Sequence, residues 1–130
     1  MLDGPYESRR DEVLENWKSS IKDLSACSNV VVKLGGIGMP RTGFDWHLMD
    51  KPIGSRELAA QMAPILSYCI EQFGPERGMF ESNFPVDKVS YSYNVLYNAF
   101  KIFSKNYSET ERALMFRDNA LKIYDVDENL

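Results

Sequence analysis

Basic residues are the minority in this chain, and they do not cluster. Lys and Arg number 15 against 19 Asp and Glu, a formal net charge of −4. Most cations sit beside acids, as in Arg9-Arg10-Asp11-Glu12. A nucleic-acid partner calls for grouped Lys and Arg to displace counterions from phosphates, so none is expected. Long hydrophobic runs are missing too. No stretch approaches the roughly 18 apolar residues of a membrane-spanning helix, so no membrane partner is expected. The first ten residues lack the basic-then-apolar order of a secretion signal, which leaves a cytoplasmic location as the default expectation. Histidine occurs once, at His47, and one imidazole cannot supply the usual His-rich catalytic zinc site. The two cysteines, Cys27 and Cys69, form no C-x-x-C pair. Each falls on the expected apolar side of a helix and reads as a buried thiol in a reducing compartment. There is no internal repeat, no nucleophile elbow and no recognisable Ser/His/Asp spacing.

What is present is a globular composition, 44% hydrophobic and 26% charged, over 130 residues. That length suits one domain but falls short of the roughly 200 residues of a complete (β/α)₈ barrel. Asp3-Gly4-Pro5 is turn chemistry, and Ser8 is placed to cap a first helix. Val13, Leu14, Trp17, Ile21 and Leu24 recur at three- and four-residue steps, which predicts an apolar face from about Arg9 to Cys27. Val30-Val31-Val32-Lys33-Leu34 is a short β-branched run, the pattern of a strand buried on both faces of a parallel sheet. Residues 35–54 form a long loop carrying Arg41, Asp45, Trp46, His47, Asp50 and Lys51. Ser55 is placed to cap a second helix with Leu58, Met62, Leu66, Cys69, Ile70 and Phe73 inward. Pro64 is expected to kink or restart it, and Gly74-Pro75 to stop it.

Gly78–Ser82 is the second expected strand. Ser90 begins a third helix with Val95, Leu96, Phe100 and Phe103 inward. Ser108-Glu109-Thr110-Glu111 matches a capping box, and a final helical stretch reaches about Tyr124 with a break near Asp118-Asn119. The acidic end, Asp125-Val126-Asp127-Glu128, reads as solvated. Helix, strand, helix, strand, helix, helix is the resulting order, and its strand–helix–strand unit implies a parallel crossover. Two parallel strands make a poor sheet alone, so the chain reads as part of something larger, with strand edges open to self-association or to a partner chain.

Ligands in parallel α/β proteins bind at the carboxyl ends of strands. That directs attention to the loop after Leu34 and to Glu81–Asp87. Strand alternation places Met79, Glu81 and Asn83 on one face, with Phe80 and Ser82 on the other. Glu81 is open to three readings: an ion pair with an internal Lys or Arg such as Lys33, a general acid or base, or simple exposure. Asp87 either activates water or holds a substrate group, or else caps the next helix or pairs with Lys88. His47 is either an acid–base group or part of a packed aromatic cluster. Gly35-Gly36-Ile37-Gly38 matches neither common phosphate-loop spacing, so its glycines read as allowing tight backbone turns.

Three runs, Asn29–Gly36, Gln72–Arg77 and Met79–Asp87, taken with Asn119-Ala120 and Tyr124, resemble the end of amidohydrolase-related (amidohydrolase 2) proteins. The likeness covers nearly the whole chain. It implies an α/β fold, a partial (β/α)₈ TIM barrel holding about the last two strands with their helices. Residues 1–130 would then be a C-terminal fragment of the barrel domain, acting on a small-molecule substrate. The full-length parent would hydrolyse a lactone, ester or amide, or decarboxylate a small acid. The alternative is a non-catalytic barrel fragment acting through self-association or a partner chain. The resemblance further implies a divalent metal in the parent, held by a His-x-His on strand one and a His near strand six. Those residues would lie upstream of Met1, so no metal ligand or cofactor is assigned to this chain. The family's eighth strand usually ends Gly-Ser-Asp-Trp-Pro. Here Glu81-Ser82-Asn83-Phe84-Pro85 stands in that place, so Asn83 replaces the Asp. Asn83, Glu81, Asp87 and His47 are therefore the candidate catalytic residues. An Asn orients water but cannot take its proton, so the substitution implies a metal-independent subfamily in which Glu81, Asp87 or His47 takes a different part.

Overall fold

The computed structural model describes residues 8–126. The Asp3-Gly4-Pro5 turn and the Asp127-Glu128 end of the acidic tail lie outside them. The main elements are α1 (Arg10–Ser25), β1 (Val32–Leu34), α2 (Ser55–Phe73), β2 (Gly78–Phe80), α3 (Tyr93–Phe103), α4 (Glu109–Ala113) and α5 (Asn119–Tyr124). A π-helical segment, Leu114–Asp118, joins α4 to α5. It replaces the break expected near Asp118-Asn119 with a local widening of the helical turn.

β1 and β2 pair in parallel, with Val32 opposite Gly78, Lys33 opposite Met79 and Leu34 opposite Phe80. Both are shorter than their apolar runs suggest. β1 is also not buried on both faces: Leu34 is buried while Lys33 is exposed and Val31 is 37% exposed. One face of the sheet packs on helices. Val32, Leu34 and Phe80 point there, and Phe80 stacks on Phe100 at 4.6 Å and leans on Phe116 at the same distance. The other face carries Lys33, Met79 and, just past the strand, Glu81. An alternation of two puts these three on the same side.

α2 and α3 share the most extensive helix contact. Leu58, Met62, Leu66 and Ile70 meet Leu96 and Phe100 in the core, all 4% exposed or less. The three- and four-residue spacing of α2 makes this one continuous stripe. Pro64 does not restart the helix, which runs unbroken from Ser55 to Phe73. Proline removes the amide that would bond the Ala60 carbonyl and its ring crowds that carbonyl, but residue 64 lies on the exposed side, clear of the core stripe. Gly74 ends α2 at φ 79°, as its Gly-Pro signal requires.

α1 lies on the outside of the core. None of its residues is fully buried, and Leu24 is 48% exposed. Trp17 packs on Tyr68, whose hydroxyl donates to the Lys18 carbonyl at 3.0 Å.

Two capping expectations and one helix start are corrected. Ser8 caps nothing: it opens a short 3-10 turn, and Arg9 holds the cap position of α1 without a side-chain bond. Ser55 lies inside α2, which Gly54 precedes. α3 begins at Tyr93 rather than at Ser90, and Ser92 caps it, accepting from the Val95 amide at 3.3 Å. The Ser108–Glu111 capping box is present in full.

Cys27 is also corrected. It lies beyond the end of α1 and is exposed, whereas Cys69 is buried in the α2 stripe. Burial pushes the Cys69 thiol up to about 11, which keeps it protonated and unreactive near neutral pH. No helix among the described residues is long and apolar enough to cross a membrane.

Candidate active site at the strand ends

The carboxyl ends of β1 and β2 lead into two loops that meet. Glu81 continues the pairing, its amide donating to the Leu34 carbonyl at 3.3 Å. The approach is close because residue 35 is glycine. A Cβ built there would fall on the Glu81 carbonyl oxygen and lie 2.9 Å from Glu81 Cγ. Gly36 follows in the left-handed region at φ 71°, with Glu81 Oε1 seated over it. These glycines thus allow tight backbone turns at the strand ends, as their spacing suggests.

Glu81 is partly buried and faces Lys33, with Nζ 3.4 Å from Oε2. The Lys33 side chain is 53% exposed, so this pair contributes little stability, at most about 1 kcal/mol. It does set the charge pattern of the mouth: an acid and a base from adjacent strands on one face.

Asn83 adopts φ 52°, a left-handed backbone that Asn reaches at low cost. The Phe84–Pro85 peptide that follows is cis. The Asn83 side chain lies beside Gly36, next to Glu81. Its Nδ2 donates to Asp87 Oδ1 at 2.6 Å. Asp87 has no exposed surface. Its second oxygen accepts from the Gly38 amide at 3.0 Å and the Tyr91 hydroxyl at 2.9 Å. Ser90 Oγ completes the junction by donating to the Gly38 carbonyl at 2.6 Å. Asp87 makes no side-chain bond to Lys88.

His47 stands apart. It lies in a single 3-10 turn, Trp46–Leu48, half-buried, with Nδ1 lacking a partner. It makes no hydrogen bond to Glu81, Asn83 or Asp87. Its neighbour Trp46 is the packing residue of that loop, stacked on Phe44 at 4.2 Å and tilted against Tyr91 at 5.7 Å. Trp46 Nε1 donates to Gln61 at 2.6 Å, which ties the loop to α2. Of the four sequence candidates, the structure thus brings together Glu81, Asn83 and Asp87, and leaves His47 outside.

Tyr91 was not among the sequence candidates, because a Tyr after Ser90 carries no motif. Burial raises its pKa well above the ordinary value of 10, and the charge of Asp87, its bond to Asp87 and the charge of Glu81 act the same way. Tyr97 is pushed up to about 12, first by burial, then by a bond with Tyr93, then by the Tyr93 and Glu81 charges. In the unfolded chain both phenols ionise near pH 10, while the folded state keeps their protons. The folded state therefore binds more protons above pH 10. The stability they contribute is complete below pH 10 and is lost as pH rises, through about 12 for Tyr97. Tyr91→Phe is expected to cost about 1–3 kcal/mol at pH 8, the worth of a hydrogen bond to a charge, and to flatten the alkaline loss. Urea midpoints at pH 8 and pH 10.5 check this. A variant whose midpoint falls as steeply as wild type contradicts it.

The donor set does not fit a metal ion. Among the described residues no three His, Cys, Asp or Glu side chains converge on one point. Asp87, the most buried of the acids, already has three donors around it, and donors repel a cation. What the mouth can do with its own groups is accept and donate hydrogen bonds from Asn83, and exchange a proton at Glu81 beside a lysine.

A family model described as Amidohydrolase matches residues 3–126. The uncharacterized protein y4mH of Sinorhizobium fredii is 35% identical over 125 residues, covering 96% of this chain and 36% of that protein. L-fucono-1,5-lactonase of Burkholderia multivorans is 27% identical over 121 residues, covering 92% of this chain and 38% of the lactonase. Among solved structures, an amidohydrolase from Burkholderia multivorans crystallised with bound zinc superposes with a TM-score of 0.76 at 25% identity, over 92% of this chain and 40% of that one. A second crystal form with bound HEPES gives a TM-score of 0.77 at 26% identity. The chain thus spans 36% and 38% of the length of the two curated relatives.

Proposed function

The chain belongs to the Amidohydrolase family, and from that premise we propose that it supplies two adjacent staves of a (β/α)₈ barrel whose activity is hydrolysis of a lactone, ester or amide. The observation that carries this reading is the grouping of Glu81 and Asn83 past the end of β2, with Lys33 on the same face 3.4 Å from Glu81. The likeness to a lactonase favours a cyclic ester among the three substrates.

In this reading the Asn83 carbonyl oxygen accepts a hydrogen bond from the attacking water and aims it. Glu81 takes the water's proton as its oxygen bonds to the substrate carbonyl carbon. The carbon–oxygen bond to the leaving alkoxide then breaks, and the same proton passes to that alkoxide. Lys33 offsets negative charge developing on the carbonyl oxygen. Barrel sites draw on several strand ends, so residues outside these two strands complete the pocket.

The test is a panel of simple lactones, esters and amides given to the purified chain, to Glu81→Gln and to Asn83→Ala. Where the chain turns one of them over above buffer, the rate is expected to fall roughly 10²–10⁴-fold in Glu81→Gln, the range for a lost general base. Unchanged rates in both variants would remove the strand ends from the chemistry. The open outer edges of β1 and β2 favour a second reading, a fragment whose role is association with its own kind or a partner chain. Absence of turnover together with a mass by light scattering that rises with concentration supports that reading instead.

A further inference from the structure

Asp87 is the one carboxylate with no exposed surface among the described residues, and the proposed chemistry does not use it. All three of its partners are donors: Asn83 Nδ2 at 2.6 Å, the Gly38 amide at 3.0 Å and the Tyr91 hydroxyl at 2.9 Å. Only a group that accepts at both oxygens satisfies all three, and that is a carboxylate. The partners also come from separate places. Gly38 belongs to the loop after β1, Asn83 to the turn after β2, and Tyr91 to the segment entering α3.

We propose that Asp87 is a positioning residue for the strand-end site: it holds the Asn83 carboxamide with its carbonyl oxygen turned away from the buried carboxylate and towards the mouth, and it fixes the spacing of the two strand-end loops. The proposal rests on the reading that the mouth is where a substrate binds. The physical logic concerns the amide. An Asn side chain has one donating and one accepting end, and a free one interconverts its two orientations. Facing Asp87, only the NH₂ end is attractive, because the carbonyl end would set oxygen against oxygen. The buried charge therefore selects one orientation. The same bond explains the residue type at position 83. A carboxylate there would stand 2.6 Å from another with no water between them, and two such groups cannot both ionise.

Two measurements test this, and neither depends on turnover. In protein labelled with ¹⁵N-asparagine, the Asn83 side-chain NH₂, assigned by its loss in Asn83→Ala, should exchange slowly with solvent. Asp87→Asn presents a neutral group that cannot accept from all three donors. It should speed that exchange roughly ten- to hundredfold, the factor for losing a hydrogen bond to a charge. Tyr91→Phe, which leaves the Oδ1 contact intact, should change it far less. A folded Asp87→Asn protein whose Asn83 amide remains as protected as in wild type overturns the proposal. The second measurement stands if Asp87→Asn does not fold. In Asn83→Asp, ¹³C-carboxylate titration should show two coupled steps, one of them raised well above the ordinary range. Two independent titrations near the ordinary value overturn the proposal. Where wild type hydrolyses a substrate, Asp87→Asn should lower kcat and leave KM nearly unchanged. A chain that turns over nothing counts against the proposed function and leaves both NMR results as they are.

Discussion

Gly35→Ala is expected to cost about 3 kcal/mol or more, out of proportion to the addition of one methyl group. The new Cβ would meet the Glu81 carbonyl oxygen and lie 3.0 Å from its carbonyl carbon. These are backbone atoms, and they cannot swing aside as the end of a side chain can. The strands would have to separate just where Glu81 donates to Leu34. Overpacking a fixed site typically costs about 1–3 kcal/mol, and loss of the pairing adds to it. Gly54→Ala is the control. Nothing lies within 4 Å of a Cβ at Gly54, and exchanging Gly for Ala ahead of a helix costs less than about 1 kcal/mol. Urea unfolding of the two variants separates these cases. Equal midpoints would mean that the strand ends do not approach as described.

The second large effect is expected at the opposite end of the sheet. The Arg77 side chain gathers four carbonyls: Phe73 at 3.0 Å, Ser25 at 2.9 Å, Cys27 at 3.1 Å and Val30 at 3.4 Å. Its guanidinium also lies 5.1 Å over the Phe73 ring. The residue thereby ties the end of α1 and the start of β1 to the end of α2. Arg77→Ala should lose about 2–4 kcal/mol, because each bond carries a charge and three acceptors lose a long-range donor. Arg77→Lys should recover little of this, since an ammonium cannot span the same fork of acceptors. Equilibrium unfolding measures both. An Arg77→Ala protein within about 0.5 kcal/mol of wild type would show that the latch contributes nothing beyond a surface contact.

Arg77 also marks what sequence could reveal and what it could not. The run Gln72–Arg77 stood out as resembling a family signature, yet its physical reason is a set of contacts up to 52 residues away. Asn119 is similar: its Nδ2 donates to the Pro75 and Gly78 carbonyls, both at 2.7 Å. No local pattern predicts such partners. The elements that were legible rest on local chemistry. The capping box needs only Ser108 and Glu111, the stop of α2 needs only Gly74, and the stripe of α2 follows from a 3.6-residue period.

The errors have tertiary causes. Ser90 and Ser92 are equally good caps by residue type. The Gly38 carbonyl draws the Ser90 hydroxyl to 2.6 Å and leaves Ser92 to cap α3. Cys27 continued the periodicity of α1 on paper, but the helix ends at Ser25. The site was half legible. Alternation along the second strand placed Glu81 on the face of Met79, which the register sets opposite Lys33, and of the readings open for Glu81 the ion pair with Lys33 is present. The burial of Asp87 was hidden, because Val86-Asp87-Lys88 has the composition of an exposed loop. Its enclosure depends on Gly38 and Tyr91 closing from either side.

Everything proposed for the mouth depends on β1 and β2 running side by side in the same direction, with Leu34 and Glu81 at a common end. Inter-strand nuclear Overhauser contacts in the 130-residue chain test that most directly. The account predicts backbone contacts linking Lys33 with Met79 and Leu34 with Phe80. It also predicts a slowly exchanging Glu81 amide held by Leu34. Strong Hα–Hα cross-peaks of an antiparallel pair, or no contact between the two segments, would contradict it.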